Sequence, residues 1–215
     1  MKKLLLIIGL CTIILAIIFW RQVKRAQGIV TTAEVAPLIS FENYPLPILS
    51  SDPLRGNPGA PLTLVIFADL GDAASKKILR TLAAFVDAHP SDARLAWKDL
   101  PKSQLFSPAN LAPHVAAWCA GAQGKFWQYA DQLAARPTKA GAKALRELAA
   151  ALKLNLTEWQ QCLSSGTMEP GIDAGASLAA ALGLKNPPAL FANNKRVRVD
   201  QAVDLEQMLM SLIAK

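Results

Sequence analysis

The strongest pattern in the chain is a short apolar run followed by apolar positions at helical spacing. Leu62-Thr63-Leu64-Val65-Ile66-Phe67 is rich in β-branched residues and reads as a buried strand. Gly71 interrupts it, and Asp72 can cap a helix whose apolar stripe is Ile78, Leu79, Leu82, Phe85 and Val86. His89-Pro90-Ser91 ends that helix, and Arg94 to Pro101 reads as a second strand. From Pro108 to Leu184 the pattern is mostly helical, with amphipathic turns at Leu145–Leu154, Trp159–Leu163 and Leu178–Leu182 and a terminator at Gly183. Asn193-Asn194 then predicts a hairpin turn, Arg196 to Val199 its returning strand, and Leu205 to Ile213 a closing amphipathic helix. The whole predicts an α/β domain.

The first fifty residues follow a different pattern. Leu4 to Trp20 carries no charge over seventeen residues. As a helix it would span roughly 25 Å, the lower end of what crosses a bilayer. Trp20 and Arg21-Gln22-Val23-Lys24-Arg25 suit an interfacial anchor, and no small-residue cleavage site follows directly. Residues 1–25 are therefore expected to be an uncleaved signal anchor, with Cys11 an inert thiol within it. Cations flank both ends, so charge alone does not orient the anchor. Residues 26–53 are expected to be a proline-containing connector, with Ile39-Ser40-Phe41 and Ile48-Leu49 as candidates for an edge strand. Residues 54–215 are expected to be the folded domain.

Charge removes one function class. Of the +7 net charge, Lys2, Lys3, Arg21, Lys24 and Arg25 supply +5. The remaining 18 basic groups face all 16 acidic ones, and no aromatic-basic motif occurs, so no nucleic-acid partner is expected. No metal-ligand spacing occurs either, and no cofactor is expected.

Several stretches resemble the DsbA-like branch of the thioredoxin superfamily. Gly56-Asn57-Pro58-Gly59-Ala60-Pro61 matches the family's Gly-Asn-Pro-x-Ala-Pro lead-in. Phe67-Ala68-Asp69-Leu70-Gly71 matches Phe-x-Asp-Phe-x, Lys98-Asp99-Leu100-Pro101 matches Lys-Asp-Phe-Pro, and Ala116 to Trp127 matches Ala-Ala-x-Cys-Ala-x-x-Gln-Gly-Lys-Phe-Trp. Pro187-Pro188-Ala189-Leu190-Phe191 resembles Thr-Pro-Thr-x-Phe. The resemblance covers about residues 54–213. It implies a thioredoxin-like fold with a helical insertion at about 107–184, Pro188 as a cis-proline, and a domain in the periplasm or on the outer face of the cytoplasmic membrane. It also implies that Cys119 and Cys162 form a structural disulfide, worth roughly 4 kcal/mol by chain entropy.

The family's pattern continues Cys-Pro-x-Cys after its Phe-x-Asp lead-in; here the residues are Asp72-Ala73-Ala74-Ser75. Neither Asp nor Ser forms a disulfide, so the site is expected to be vestigial. The expected function is a non-catalytic binding, chaperone-like or scaffolding module with an envelope protein partner. Its groove would involve Leu70, Gly71, Asp72, Pro187 and Pro188. The alternative is a thiol-disulfide oxidoreductase working through Cys119 or Cys162. A hydrolytic Ser75 would need a base, and His89 and His114 are expected at the surface. Asp72 and Ser75 are expected to be a helix cap and an exposed hydroxyl, and Lys76-Lys77 a solvated face. Trp118, Phe126, Trp127 and Trp159 are expected to be core. Asn155-Leu156-Thr157 is a formal glycosylation acceptor.

Overall fold

The computed structural model describes residues 45–102, 111–136, 140–199 and 205–214. The apolar run Leu4–Trp20, Cys11 and most of the connector lie outside the described residues. Among the described residues no helix is long and apolar enough to cross a membrane.

The apolar run forms β2 (Leu62–Ala68), fully buried apart from Thr63, as expected of a central strand. It pairs in parallel with β3 (Ala93–Asp99) and antiparallel with β4 (Ala189–Ala192). β1 (Leu54–Gly56) flanks β3, and β5 (Lys195–Val197) flanks β4, giving the order β1-β3-β2-β4-β5. The edge strand beside β3 is Leu54–Gly56 and not Ile48-Leu49, since Leu49 is half exposed and its N–H bonds Asp52 instead; Ile39-Ser40-Phe41 lies outside the described residues. Helix α1 (Ala73–Ala88) supplies the crossover between β2 and β3.

Among the described residues, five helices separate β3 from β4: α2 (Ala112–Gly121), α3 (Phe126–Ala134), α4 (Ala142–Ala151), α5 (Leu156–Ser165) and α6 (Glu169–Ala181). The closing helix is α7 (Leu205–Ile213). Leu62, Leu64 and Ile66 face a large core made with α1 to α5, while Val65 and Phe67 face a smaller one with Ala179 of α6, Leu184 and Leu46. Gly175 sets the approach of α6 to the sheet: a Cβ there would lie 2.8 Å from both N and O of Asp99. Cys119 and Cys162 are bonded, stapling α2 to α5. Trp159 makes a second fastening there, its indole N–H donating to the Ala116 carbonyl at 3.1 Å.

Candidate functional site: the turn after β2 and the charges beneath it

β2 and β3 run parallel and in register, so Ala68 lies beside Asp99 and the two strands end together. Asp69 follows directly, and the chain turns through Leu70 and Gly71 into α1. Asp72 caps the helix as expected: its Oδ2 accepts from Ser75 N at 2.9 Å and from Ser75 Oγ at 3.0 Å. Its Oδ1 accepts from Lys102 Nζ at 2.6 Å. Burial pushes the Asp72 carboxyl up, but the Lys102 ammonium and the two Ser75 donors outweigh it and hold it below the usual carboxylate range.

Ser75 is not the exposed hydroxyl the sequence predicts. It is buried, and its Oγ also accepts from Asp69 N at 3.2 Å. Its position inside the first turn of α1 aims the hydroxyl back at the strand end. Lys76 departs from expectation in the same way. It is buried, with Nζ donating to the Arg136 carbonyl at 3.2 Å, and desolvation lowers its pKa.

The largest departure is His114, expected at the surface and found with none of its side chain exposed. Its Nδ1 lies 2.5 Å from Asp99 Oδ1 and its Nε2 3.2 Å from Asp69 Oδ1. Burial alone would favour the neutral ring. The hydrogen bonds and charges of the two carboxylates win, raising the pKa to about 9. At neutral pH the ring is an imidazolium donating through both nitrogens. Leu70 N–H points at the same Nε2 from 3.3 Å, and can donate only to a ring that has lost that proton.

The carboxylates are themselves saturated. Asp99 accepts from the indole N–H groups of Trp97 at 2.9 Å and Trp118 at 2.7 Å. Asp69 Oδ1 accepts from Gly71 N at 2.6 Å and Oδ2 from Lys102 N at 2.9 Å. Burial pushes Asp69 up, but His114 and the backbone donors bring it below the ordinary value. Asp69 therefore shapes the turn, and His114 ties that turn to the helical insert.

A signal for this was present. Two carboxylates at the in-register ends of parallel strands need a cation, and His114 lies on an otherwise apolar helix, Ala112-Pro113-His114-Val115-Ala116. His89, by contrast, is half-buried at the end of α1, its ring stacked near Phe85. Phe126 and Trp159 are core as expected, whereas Trp118 and Trp127 are only partly buried against it.

The Pro187–Pro188 peptide is cis. Of the groove candidates, Leu70 and Pro187 are buried, leaving Gly71, Asp72 and Pro188 partly accessible. Among the described residues no group of three or more His, Cys, Asp or Glu is placed to hold a metal ion. The buried side-chain polar atom without a partner among them is Trp127 Nε1, outside the turn.

Solved structures share this architecture. A thioredoxin-like oxidoreductase from Silicibacter pomeroyi DSS-3 aligns with a TM-score of 0.65 at 20% identity, covering 78% of this chain and 95% of that one. The thiol-disulfide exchange protein alpha-DsbA2 from Wolbachia pipientis aligns at 0.66 and 13%, covering 77% and 87%. BdbD from Bacillus subtilis, in its oxidised form, aligns at 0.66 and 15%, covering 79% and 96%. A search of curated proteins found no match. Residues 49–213 match the thioredoxin family. With β2, α1, β3 and the hairpin arranged around a cis-proline, and with DsbA-like structural neighbours, the chain belongs to the thioredoxin family.

Proposed function

We propose that this is a membrane-anchored thioredoxin-fold domain whose redox centre has been lost, and that it serves as a binding, chaperone-like or scaffolding module of the cell envelope. One observation carries the reading. The two positions that hold thiols in the pattern this chain resembles are Asp72 and Ser75, hydrogen-bonded to each other at 3.0 Å in a helix cap. Every described partner of these side chains serves the fold. Oδ1 of Asp72 pairs with Lys102, Oδ2 caps α1, and the Ser75 hydroxyl bridges Asp72 and the end of β2. Partners would dock where Gly71, Asp72 and Pro188 remain accessible. Anchoring rests on the uncharged run Leu4–Trp20.

The alternative through Cys119 and Cys162 has the geometry against it. The two sulfurs are bonded to each other and Cys119 is 1% exposed, so no thiolate is presented. A Ser75 hydrolase fares no better, since its hydroxyl is buried and His114 is engaged by Asp69 and Asp99.

The test is turnover of a dithiol peptide by the detergent-solubilised full chain. Wild type is expected to be inert. The D72C/S75C variant is expected to gain activity, because the two side chains already lie within bonding reach and a thiolate at position 72 would inherit the helix N-terminus and Lys102. Turnover by wild type that disappears on replacing Cys119 or Cys162 by Ala would overturn the reading.

A further inference from the structure

The β4–β5 hairpin carries cations for which the described residues supply no ion-pair partner. Lys195 and Arg196 of β5 and Arg198 just beyond it are exposed, and none has a side-chain partner among the described residues. β5 is the outermost strand on its side of the described sheet. Its inner neighbours are apolar, with Arg196 beside Phe191 and Lys195 beside Ala192. Cations on a sheet edge discourage pairing with another strand, and that purpose would explain one or two of them. Where the chain enters the domain adds a second observation. Leu46 is buried, and its N–H donates to Asn194 Oδ1 in the hairpin turn at 3.0 Å. The neighbouring Asn193 Oδ1 accepts from Thr63 N at 2.8 Å, fixing that turn to the start of β2. Leu46 therefore sits against the turn that leads into β5.

Twenty-four residues, 21–44, separate this entry point from the end of the uncharged run at Trp20. They can span at most about 80 Å, so the domain is tethered near the surface in which that run sits. Tethering converts a weak surface contact into an intramolecular one. Near an anionic leaflet each Lys or Arg contributes roughly fivefold, and three together contribute on the order of a hundredfold, within a Debye length of about 10 Å.

We infer that the edge formed by Lys195, Arg196 and Arg198 is a membrane-facing surface that docks the domain on anionic lipid headgroups. This rests on the anchored reading above. β5 runs alongside β2 in the same direction, with Lys195 level with Leu64, Arg196 level with Val65 and Val197 level with Ile66.

The experiment reconstitutes the full chain in zwitterionic vesicles and in vesicles with anionic phosphatidylglycerol. A membrane-impermeant acetylating reagent is added, and labelling of each lysine is read by mass spectrometry. Lys143, 92% exposed on α4, is the internal reference. Lys195 is expected to label at least threefold more slowly than in zwitterionic vesicles when anionic lipid is present. That difference should vanish in 0.5 M NaCl and in the R196E/R198E variant, which keeps the lysine as probe. Equal Lys195 labelling in both lipids, from a chain that resists alkaline carbonate extraction, would overturn the docking surface while leaving the anchor intact. Extraction by carbonate would overturn the anchor, and with it this inference.

Discussion

The turn from Gly71 to Ser75 and the charged layer beneath it are both saturated with hydrogen bonds, but the bonds differ in reach. Within the turn, Asp72 and Ser75 bond each other across three residues and Asp69 takes the Gly71 N–H across two, while the longer reach onto Asp72, from Lys102 across 30 residues, comes from a half-exposed ammonium. In the layer below, His114 bonds partners 15 and 45 residues away, and Asp99 bonds Trp118 across 19. Such a cap can be rewritten with no buried group left unpaired at a distance, because its distant partner Lys102 is half exposed and can turn to solvent. A buried triad assembled from two strand ends and a helix of the insert cannot, because each member leaves the others charged and desolvated. The comparison explains how a chain can keep the thioredoxin architecture with no thiol at Asp72 or Ser75.

The largest effect should come from breaking the layer. His114→Leu removes the cation between two buried carboxylates, and about 3–5 kcal/mol of stability should go with it. Urea denaturation followed by tryptophan fluorescence would measure this, since Trp97 and Trp118 both donate to Asp99. A loss below about 1 kcal/mol would mean the layer is no more coupled than the turn.

The same layer should respond to alkali. Its folded pKa of about 9 lies above the ordinary 6.5, so the stabilisation is complete below about 6.5 and is lost as pH rises through 9. The shift corresponds to on the order of 3 kcal/mol. Denaturation midpoints at pH 6 and pH 10 should differ in that direction for wild type, with a smaller difference in His114→Leu. In the deprotonated state Leu70 N–H gains Nε2 as acceptor, so amide hydrogen exchange at Leu70 reports the change directly.

The staple between α2 and α5 sits between the two regions in expected size. Replacing both Cys119 and Cys162 by Ala should cost about 2–4 kcal/mol. Trp159 still fastens α5 through Ala116, so the variant should remain folded at room temperature. Alkylation after reduction should label three thiols in the wild type and Cys11 alone in the variant.

These differences in reach also decide what could be read from the sequence. β2, the Gly71 break, the Asp72 cap and the apolar stripe of α1 are local patterns, and each stands where the sequence puts it. The cis peptide at Pro188 and the bond between Cys119 and Cys162 were accessible only through family resemblance, because nothing local specifies either. The burial of Ser75, Lys76 and His114 was missed for one reason. A polar residue in the first turn of a helix reads as solvated unless its distant partner is known. The partners are Asp69 at the end of β2, the Arg136 carbonyl after α3, and Asp99 at the end of β3. The edge strand was misplaced for a related reason: Leu54–Gly56 is only three residues long and shows no alternation to detect.

The smallest effect should come from the turn itself, and two substitutions at one position separate its contributions. Asp72→Ala removes the cap and the Lys102 partner, and should cost about 1 kcal/mol. Asp72→Asn retains an oxygen to accept from Ser75 N but loses the charge paired with Lys102, which is 46% exposed. With Asp72 mostly covered but its partner half exposed and screened by solvent, the pair is worth about 1 kcal/mol or less, so Asn should recover most of the loss. The carboxyl's lowered pKa sets the pH dependence: its contribution is present above the ordinary value near 3.8 and fades as pH falls through the folded one. The Asp72→Asn difference should therefore shrink toward acid. An Asn variant as damaged as the Ala one, at neutral pH and low salt, would show that the charge and not the cap holds the turn. The turn would then belong electrostatically with the layer beneath it, and the separation between a rewritable surface and a fixed foundation would fail.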